Sequence, residues 1–326
     1  MSAVRHIVWQ KRGKIFDPTG RYPHMHQYAQ APAPFLMGDK LRVFFTCRPE
    51  RAADGSMVSH ITYLDVRADD PREVLYVHDR PILPLGGLGD FDEFGIHPVG
   101  AVPMGDRLFL YYQGWTRAVS VPYITSLGLS ISTDGGNTFG KYARGPLFSR
   151  TPDEPYLENG FFVLKEEDGL RMWYATGIEW REHEGVKEPL YRIVAARSRD
   201  GVHWDRDARP LFPPANEDEV TGRPTVLKCG GIYRMWFSKR DVTDFRSGGA
   251  NAYRIGYAWS SDGEVWTRAD HLAGIDVSPT GWDADMQAYP FVVRVGRKLY
   301  LFYNGNDFGR GGFGYAEADA DAYDAA

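Results

Sequence analysis

Five times along this chain a short apolar run, a turn and a second run ending in aromatic side chains recur at nearly equal steps. The second runs end Val43-Phe44-Phe45, Leu110-Tyr111-Tyr112, Met172-Trp173-Tyr174, Met235-Trp236-Phe237 and Leu301-Phe302-Tyr303, so the last aromatics lie 67, 62, 63 and 66 residues apart. A fixed period of strand-rich units points to a propeller or a solenoid. Steps of this length hold four strands and their connections, the content of one propeller blade. The stretch from Glu219 to Phe237 shows the unit most plainly: a polar lead-in, Pro224, the run Thr225-Val226-Leu227, a Gly230-Gly231 turn and the run Met235-Trp236-Phe237. Proline is tolerated at a strand start, where its missing N–H breaks no ladder bond. The paired glycines supply the positive φ that a tight hairpin needs.

A second marker repeats in phase with the first: Ser132-Thr133-Asp134-Gly135, Ser198-Arg199-Asp200-Gly201 and Ser261-Asp262-Gly263, each followed by an aromatic, Phe139, Trp204 or Trp266. Asp-Gly is a turn signal, and the aromatic can pack back beneath it. These turns are read as structural, joining the third and fourth strands of a blade. The expected fold is therefore all-β, a five-bladed β-propeller of four-stranded antiparallel blades forming one domain over residues 1–326. The repeats are placed at about 24–83, 84–150, 151–214, 215–280 and 281–318. The last repeat offers only three strands, so the N-terminal strand, placed at residues 4–10, is expected to close the ring and remove its open edges. Only the tail, residues 316–326, reads as loosely ordered.

Composition narrows the partners. The net charge is −5 and the basic residues are scattered, which argues against nucleic acid. No stretch approaches a membrane span, and the N-terminus lacks the apolar core of a signal peptide. Cys47 and Cys229 fall in different repeats and read as free thiols of a reducing compartment. A cytoplasmic protein is expected, with no membrane partner and with an oligomeric state that the residues leave open.

In a propeller the first strands line the central channel, so their leading ends surround one axial pocket. Aligning the repeats on Pro32, Pro98, Pro224 and Pro290 puts Gln27, Glu93, Glu219 and Asp285 each five residues upstream. Repeat three offers Glu158 or Glu154, and Asp92 stands beside Glu93. His24-Met25-His26 would place two imidazoles on one strand face, and with His97 they make an alternative divalent-metal site; otherwise no cofactor is expected. Trp115, Trp180, Trp282 and Tyr303 are aromatics suited to stacking on a flat ligand face or to packing in the core.

Five blades with acidic first strands resemble the five-bladed β-propeller glycoside hydrolase superfamily, families 43, 32, 62, 68, 117 and 130. Among these the chain is most similar to poorly characterised family-32/43-like proteins of bacterial glycan and natural-product gene clusters. The likeness rests on Gly89-Asp90-Phe91-Asp92, Glu219 with Arg223-Pro224, Trp282-Asp283-Ala284-Asp285 and Tyr303-Asn304-Gly305-Asn306-Asp307-Phe308-Gly309. It implies an enzyme that cleaves or transfers a glycosidic bond with paired carboxylates, one to protonate the leaving oxygen and one to activate water or attack carbon. The residues implied are Glu219 as general acid, Asp92 as base or nucleophile and Asp285 to orient substrate. His26, Gln27, Arg48, His97, Trp115, Glu158, Arg223, Arg240, Gln287, Tyr303 and Asn304 would contact a small sugar or glycoconjugate. The chain departs from the family in blade one, whose first strand carries no carboxylate; Asp17-Pro18 resembles the Asp-Pro of the invertases but lies well upstream. Arg48, Arg223, Arg240 and Arg310 near the mouth would suit a phosphate or sugar phosphate, hence a phosphorylase or transferase. The alternatives are a metal-assisted lyase, cyclase or isomerase, and a sugar-binding propeller without catalysis.

Overall fold

The aromatic-ended runs become strands that are buried on both faces, as runs without polar alternation should be when a layer covers each side of the sheet. In this computed structural model, which describes residues 6–53 and 55–321, the covering layers are the neighbouring blades. Strand β1 (Gln10–Phe16) precedes the first blade. Blade one is β2 (Gln27–Met37), β3 (Lys40–Arg48), β4 (His60–Arg67) and β5 (Val74–Val77). Blade two is β6 (Gly95–Met104), β7 (Arg107–Thr116), β8 (Ile124–Ser132) and β9 (Gly140–Lys141). Blade three is β10 (Glu158–Glu166), β11 (Gly169–His183), β12 (Val186–Ser198) and β13 (Asp205–Asp207). Blade four is β14 (Glu219–Cys229), β15 (Ile232–Asp241), β16 (Arg254–Ser260) and β17 (Thr267–Arg268). Blade five is β18 (Ala288–Val295), β19 (Lys298–Asn304) and β20 (Phe313–Asp319), with β1 as its fourth strand. Neighbouring pairs within each blade are antiparallel, and the five first strands pack round the axis as a closed ring.

The ring is closed by an N-terminal strand, but that strand lies at 10–16 and not at 4–10. Gln10 pairs with Glu317 and Phe16 with Phe313. Residues 1–5 fall outside the described residues. The apolar residues of the earlier segment serve another purpose: Ile7 and Trp9 are buried in the core beside blade four, where Trp9 meets Trp236 edge-on at 5.5 Å and its backbone N–H donates to the Gly274 carbonyl at 3.2 Å. The strand itself is polar because it is the outermost of its blade, and its burial alternates until Phe16. At the other end, residues expected to be loose are ordered: Ala316, Ala318 and Ala320 are buried along and just beyond β20, while residues 322–326 fall outside the described residues.

The Asp-Gly turns do sit between third and fourth strands. In each, a serine hydroxyl bonds the aspartate, whose oxygen accepts backbone N–H groups two to four residues on: Ser132 with Asp134, Ser198 with Asp200, and Ser260 with Asp262. Each turn then docks on the blade before it. Arg42 donates to the Gly136 carbonyl at 2.6 Å, Tyr111 to Gly201 at 2.8 Å and Arg171 to Asp262 at 3.0 Å. The corresponding turn of blade one receives Tyr300 of blade five through the Asp69 carbonyl at 3.0 Å.

Candidate functional site

The first strands are not regular. Four carry a bulge in which a residue takes a left-handed backbone: Ala31 at φ 55°, Gly160 at φ 57°, Arg223 at φ 50° and Tyr289 at φ 57°. Blade two is bulged at the corresponding place, between Pro98 and Gly100. A bulge re-aims the side chain beside it. Positive φ costs a non-glycine residue of the order of 1–3 kcal/mol and gathers at functional sites. Ala31, His97, Arg223 and Tyr289, each immediately before the strand proline, all line the axial pocket.

That pocket has a volume of about 470 Å³ and receives side chains from all five blades. Its far end is shut by apolar residues of the first strands around a small cavity of about 240 Å³, where Phe291 meets Phe162 at 5.4 Å. Aromatic groups on the wall include Tyr28, Trp115, Tyr253 and Phe308. Five arginines line it, Arg48, Arg51, Arg223, Arg240 and Arg246, against one carboxylate among the described residues, Glu188. Arg240 lies 3.7 Å from the Phe245 ring centre, donates to the Tyr253 hydroxyl at 3.1 Å and comes within 3.6 Å of Glu188. Arg246 pairs with Glu188 as well. Burial pushes Arg240 towards neutrality, but the surrounding tyrosines and Glu188 outweigh it and hold its pKa above the ordinary value. Burial raises Tyr191, and raises Tyr123 to about 12, so both phenols stay protonated and can donate.

None of the three expected catalytic carboxylates lines this pocket. Asp92 is 1% exposed and bonded to Lys141 Nζ at 2.6 Å and to the Tyr112 hydroxyl at 3.1 Å. Glu219 accepts from both terminal nitrogens of Arg268 at 2.6 Å and from the Ala215 N–H. Asp285 is exposed on a loop, its N–H bonded to Asn306. The pattern behind the first two repeats round the ring. Glu154 takes the Tyr174 hydroxyl at 2.7 Å and Arg206 at 2.9 Å, and Asp283 takes the Tyr303 hydroxyl at 3.0 Å and Lys11 at 2.7 Å. In each case a carboxylate at or just ahead of the start of the first strand clasps a base on the fourth strand, and in three blades also the tyrosine of the second strand. Burial pushes Asp283 up, yet the bonds from Lys11, Ser278 and Gln287 outweigh it and hold the carboxyl below its usual range. Blade one has Phe45 where three other blades have tyrosine and lacks the acid as well. The acidic lead-ins that suggested catalysis are thus largely blade clasps.

Of the expected contact residues, Arg48, His97, Trp115, Arg223 and Arg240 line the pocket. The others do not. His26 and Gln27 lie outside it, Gln27 accepting from Arg310. Glu158 is fully buried off the pocket, 3.8 Å from Arg206 and with both carboxyl oxygens unbonded; burial pushes its pKa up to about 8. Gln287 and Tyr303 serve Asp283, and Asn304 bonds the Ala29 carbonyl and the Ala31 N–H. His24, His26 and His97 are not brought together, because residues 23–24 turn and the alternate-face rule of a strand does not apply. Among the described residues no group of three or more His, Cys, Asp or Glu is placed to hold a metal ion. Cys47 and Cys229 are separate buried thiols. Among those residues no helix is long and apolar enough to cross a membrane.

The fold is that of the five-bladed propeller glycoside hydrolases. A solved structure of a BT0996–RGII complex matches with a TM-score of 0.74 at 19% identity, over 96% of this chain and 92% of that protein. A structure from work on the GH130 family of mannoside phosphorylases and hydrolases matches at 0.69 and 15%, over 98% and 96%. Bombyx mori GH32 β-fructofuranosidase BmSUC1 matches at 0.59 and 16%, over 96% of this chain and 61% of that one. At these identities the likeness is one of fold. No family model matches the sequence. The chain belongs to the family of the uncharacterised proteins MT1551 and Rv1502 of Mycobacterium tuberculosis, each 35% identical over 312 residues, covering 95% of this chain and 99% of the relative.

Proposed function

We propose that this chain is a carbohydrate-active protein that takes a small saccharide, or the exposed end of a glycoconjugate, end-on into the axial pocket. One observation carries the reading: a blind pocket of about 470 Å³, walled by aromatic rings and hydrogen-bonding side chains from every blade, in a fold shared with glycoside hydrolases. The volume lies within the range of about 300–1,000 Å³ usual for small-molecule sites. Cleavage by Asp92, Glu219 and Asp285 is not part of this reading, since a glycosidic bond must lie between two carboxyls that both reach it. Glu188 is the carboxylate placed for acid–base work, and a route needing one protein carboxylate, such as phosphorolysis or transfer, fits it. The test is turnover of a saccharide panel with and without inorganic phosphate, by the wild type and Glu188→Gln. Cleavage that phosphate accelerates and Glu188→Gln abolishes supports the enzyme; a wild type that binds no saccharide overturns the reading.

A second reading, a sugar-binding propeller without catalysis, is favoured by the clamping of Glu188 between Arg240 and Arg246. It expects Glu188→Gln to leave affinity nearly intact, with no turnover by either protein.

A further inference from the structure

Three arginines of the pocket, Arg48, Arg51 and Arg223, have no ion pair among the described residues, whereas Arg240 and Arg246 share Glu188. Arg51 is exposed to solvent, which leaves Arg48 and Arg223 as the shielded cations. Arg223 is 8% exposed, and its Nη2 donates only to the carbonyls of Pro98 at 2.9 Å and Ala31 at 3.4 Å. Arg48 lies 4.8 Å from the Tyr28 ring centre; its Nη1 approaches Met57 Sδ at 3.8 Å, and its buried Nε has no hydrogen-bond partner. His97 stands on the same wall, its Nδ1 2.8 Å from the Thr46 hydroxyl. Burial, together with those two guanidinium groups, pushes His97 down to about 3, so it is neutral and adds a polar contact without charge. Burial also lowers Arg48, and lowers Arg223 to about 10.

A buried charge without a counter-ion is costly, and several buried charges of this chain are paired, as Asp92 with Lys141 and Glu219 with Arg268 show. The backbone also commits strain to this arrangement. Arg223 is the left-handed bulge residue of its strand, and Gly160 packs so close that a Cβ there would lie 2.6 Å from Arg223 N. Such strain persists where the surrounding structure over-determines it, commonly at ligand clamps.

We propose that Arg48, Arg223 and His97 form the site for the phosphoryl group of a phosphorylated sugar whose ring occupies the rest of the axial pocket. The inference rests on the reading of that pocket as a sugar site and names the substrate class. A phosphate monoester carries a charge of about −1.5 to −2 at neutral pH, which matches two guanidinium groups; a carboxylate would offset only one. Arginine also presents a planar fork that suits phosphate oxygens. Trp115, Tyr253 and Phe308 remain for the sugar face.

The experiment is calorimetric titration and thermal shift on the purified protein. The probes are the 1- and 6-phosphates of glucose and mannose, the free sugars and inorganic phosphate. At least one sugar phosphate should bind, more tightly than its free sugar and than inorganic phosphate. Arg48→Met should weaken it about 10- to 100-fold, as the loss of charged hydrogen bonds implies. Arg48 is chosen because its neighbours are a ring and a sulfur, so the fold should tolerate the change; Arg223→Lys is the second variant. Free sugars binding as well as their phosphates would overturn the phosphoryl site and leave the sugar pocket standing. Inorganic phosphate binding as tightly as every sugar phosphate would overturn the substrate-borne form. Binding of a sugar phosphate that Arg48→Met and Arg223→Lys both leave unchanged would overturn the residue assignment, and no binding by any probe would overturn both readings.

Discussion

If Asp92 is a blade clasp, Asp92→Asn should cost stability and spare ligand binding. The substitution keeps an oxygen for the Tyr112 hydroxyl and removes the charge that faces Lys141 at 2.6 Å. Breaking a buried ion pair by removing one partner costs about 3–5 kcal/mol. Lys141 retains 19% exposure, so its ammonium can recover part of its hydration, and about 2–3 kcal/mol is expected. Unfolding entropy of about 2.1 cal/mol/K per residue gives about 0.7 kcal/mol/K for a chain of this length if it melts as one unit. The expected fall in Tm is therefore about 3–4 °C. Lys141→Met should lower Tm by a similar amount, and the double variant by less than the sum, because the second change removes a charge already left unpaired. The assay is thermal and urea unfolding followed by near-ultraviolet circular dichroism, with saccharide binding measured on the folded variants. An unchanged Tm in Asp92→Asn, accompanied by lost turnover, would refute the clasp and restore the carboxylate to chemistry.

Three further expectations follow from groups of the same kind. Glu158 has a folded pKa raised from 4.5 to about 8, so its protonated form is favoured in the fold and stability should be lost as pH rises through that window; Glu158→Gln should stabilise the protein at pH 8 by up to about 3 kcal/mol and have little effect near pH 4, read as Tm against pH. Asp283 has the opposite sign, a lowered folded pKa, so its contribution is present above 3.8 and lost as pH falls below it; Lys11→Met should lower Tm at neutral pH and flatten the acid limb of the unfolding curve. Gly160→Ala should drive a methyl into Arg223 at a left-handed position, costing about 1–3 kcal/mol and weakening sugar-phosphate affinity; wild-type values in both measurements would show that the close approach has no consequence.

The fold was legible because strand count, turn chemistry and period all agreed. Val43-Phe44-Phe45 and its four counterparts repeat the same local chemistry, and nothing in a packed ring overrides them. The closing strand was misplaced because Ile7 and Trp9 look like strand while packing as plugs, whereas the true strand, Gln10–Phe16, is polar. The lining of the candidate pocket was legible in part. Arginines and aromatics near the mouth follow from strand order, and Arg48, His97, Trp115, Arg223 and Arg240 are where a propeller would put them. The carboxylates misled because an acid that pairs across a blade and an acid that meets a ligand look alike in sequence; only the lysine or arginine of the fourth strand separates them, and it lies far off in the chain, with Lys11 at its opposite end for Asp283. A usable signal was present beside the one chosen: the residue immediately before each strand proline reaches the axis, whereas the residue five places earlier does not. Tyr123, Glu188, Tyr191 and Arg246 come from loops and inner strands with no period to mark them.

The seam that closes the ring also sets an order of events. Four blades are each continuous in the chain, and four Asp-Gly or equivalent turns latch one blade onto its predecessor. Between blades four and five no such turn exists among the described residues, because the fourth strand of blade five comes from the opposite end of the chain; Trp9 against Trp236 takes that place. During synthesis β1 therefore waits, unpaired, for β20 to emerge. Blades one to four can assemble before blade five is made, but the axial pocket, which needs Tyr289 and Phe308, cannot be complete until blade five has formed. A truncated product would keep most of its sheet and none of its completed pocket, with β1 left as an exposed edge for self-association.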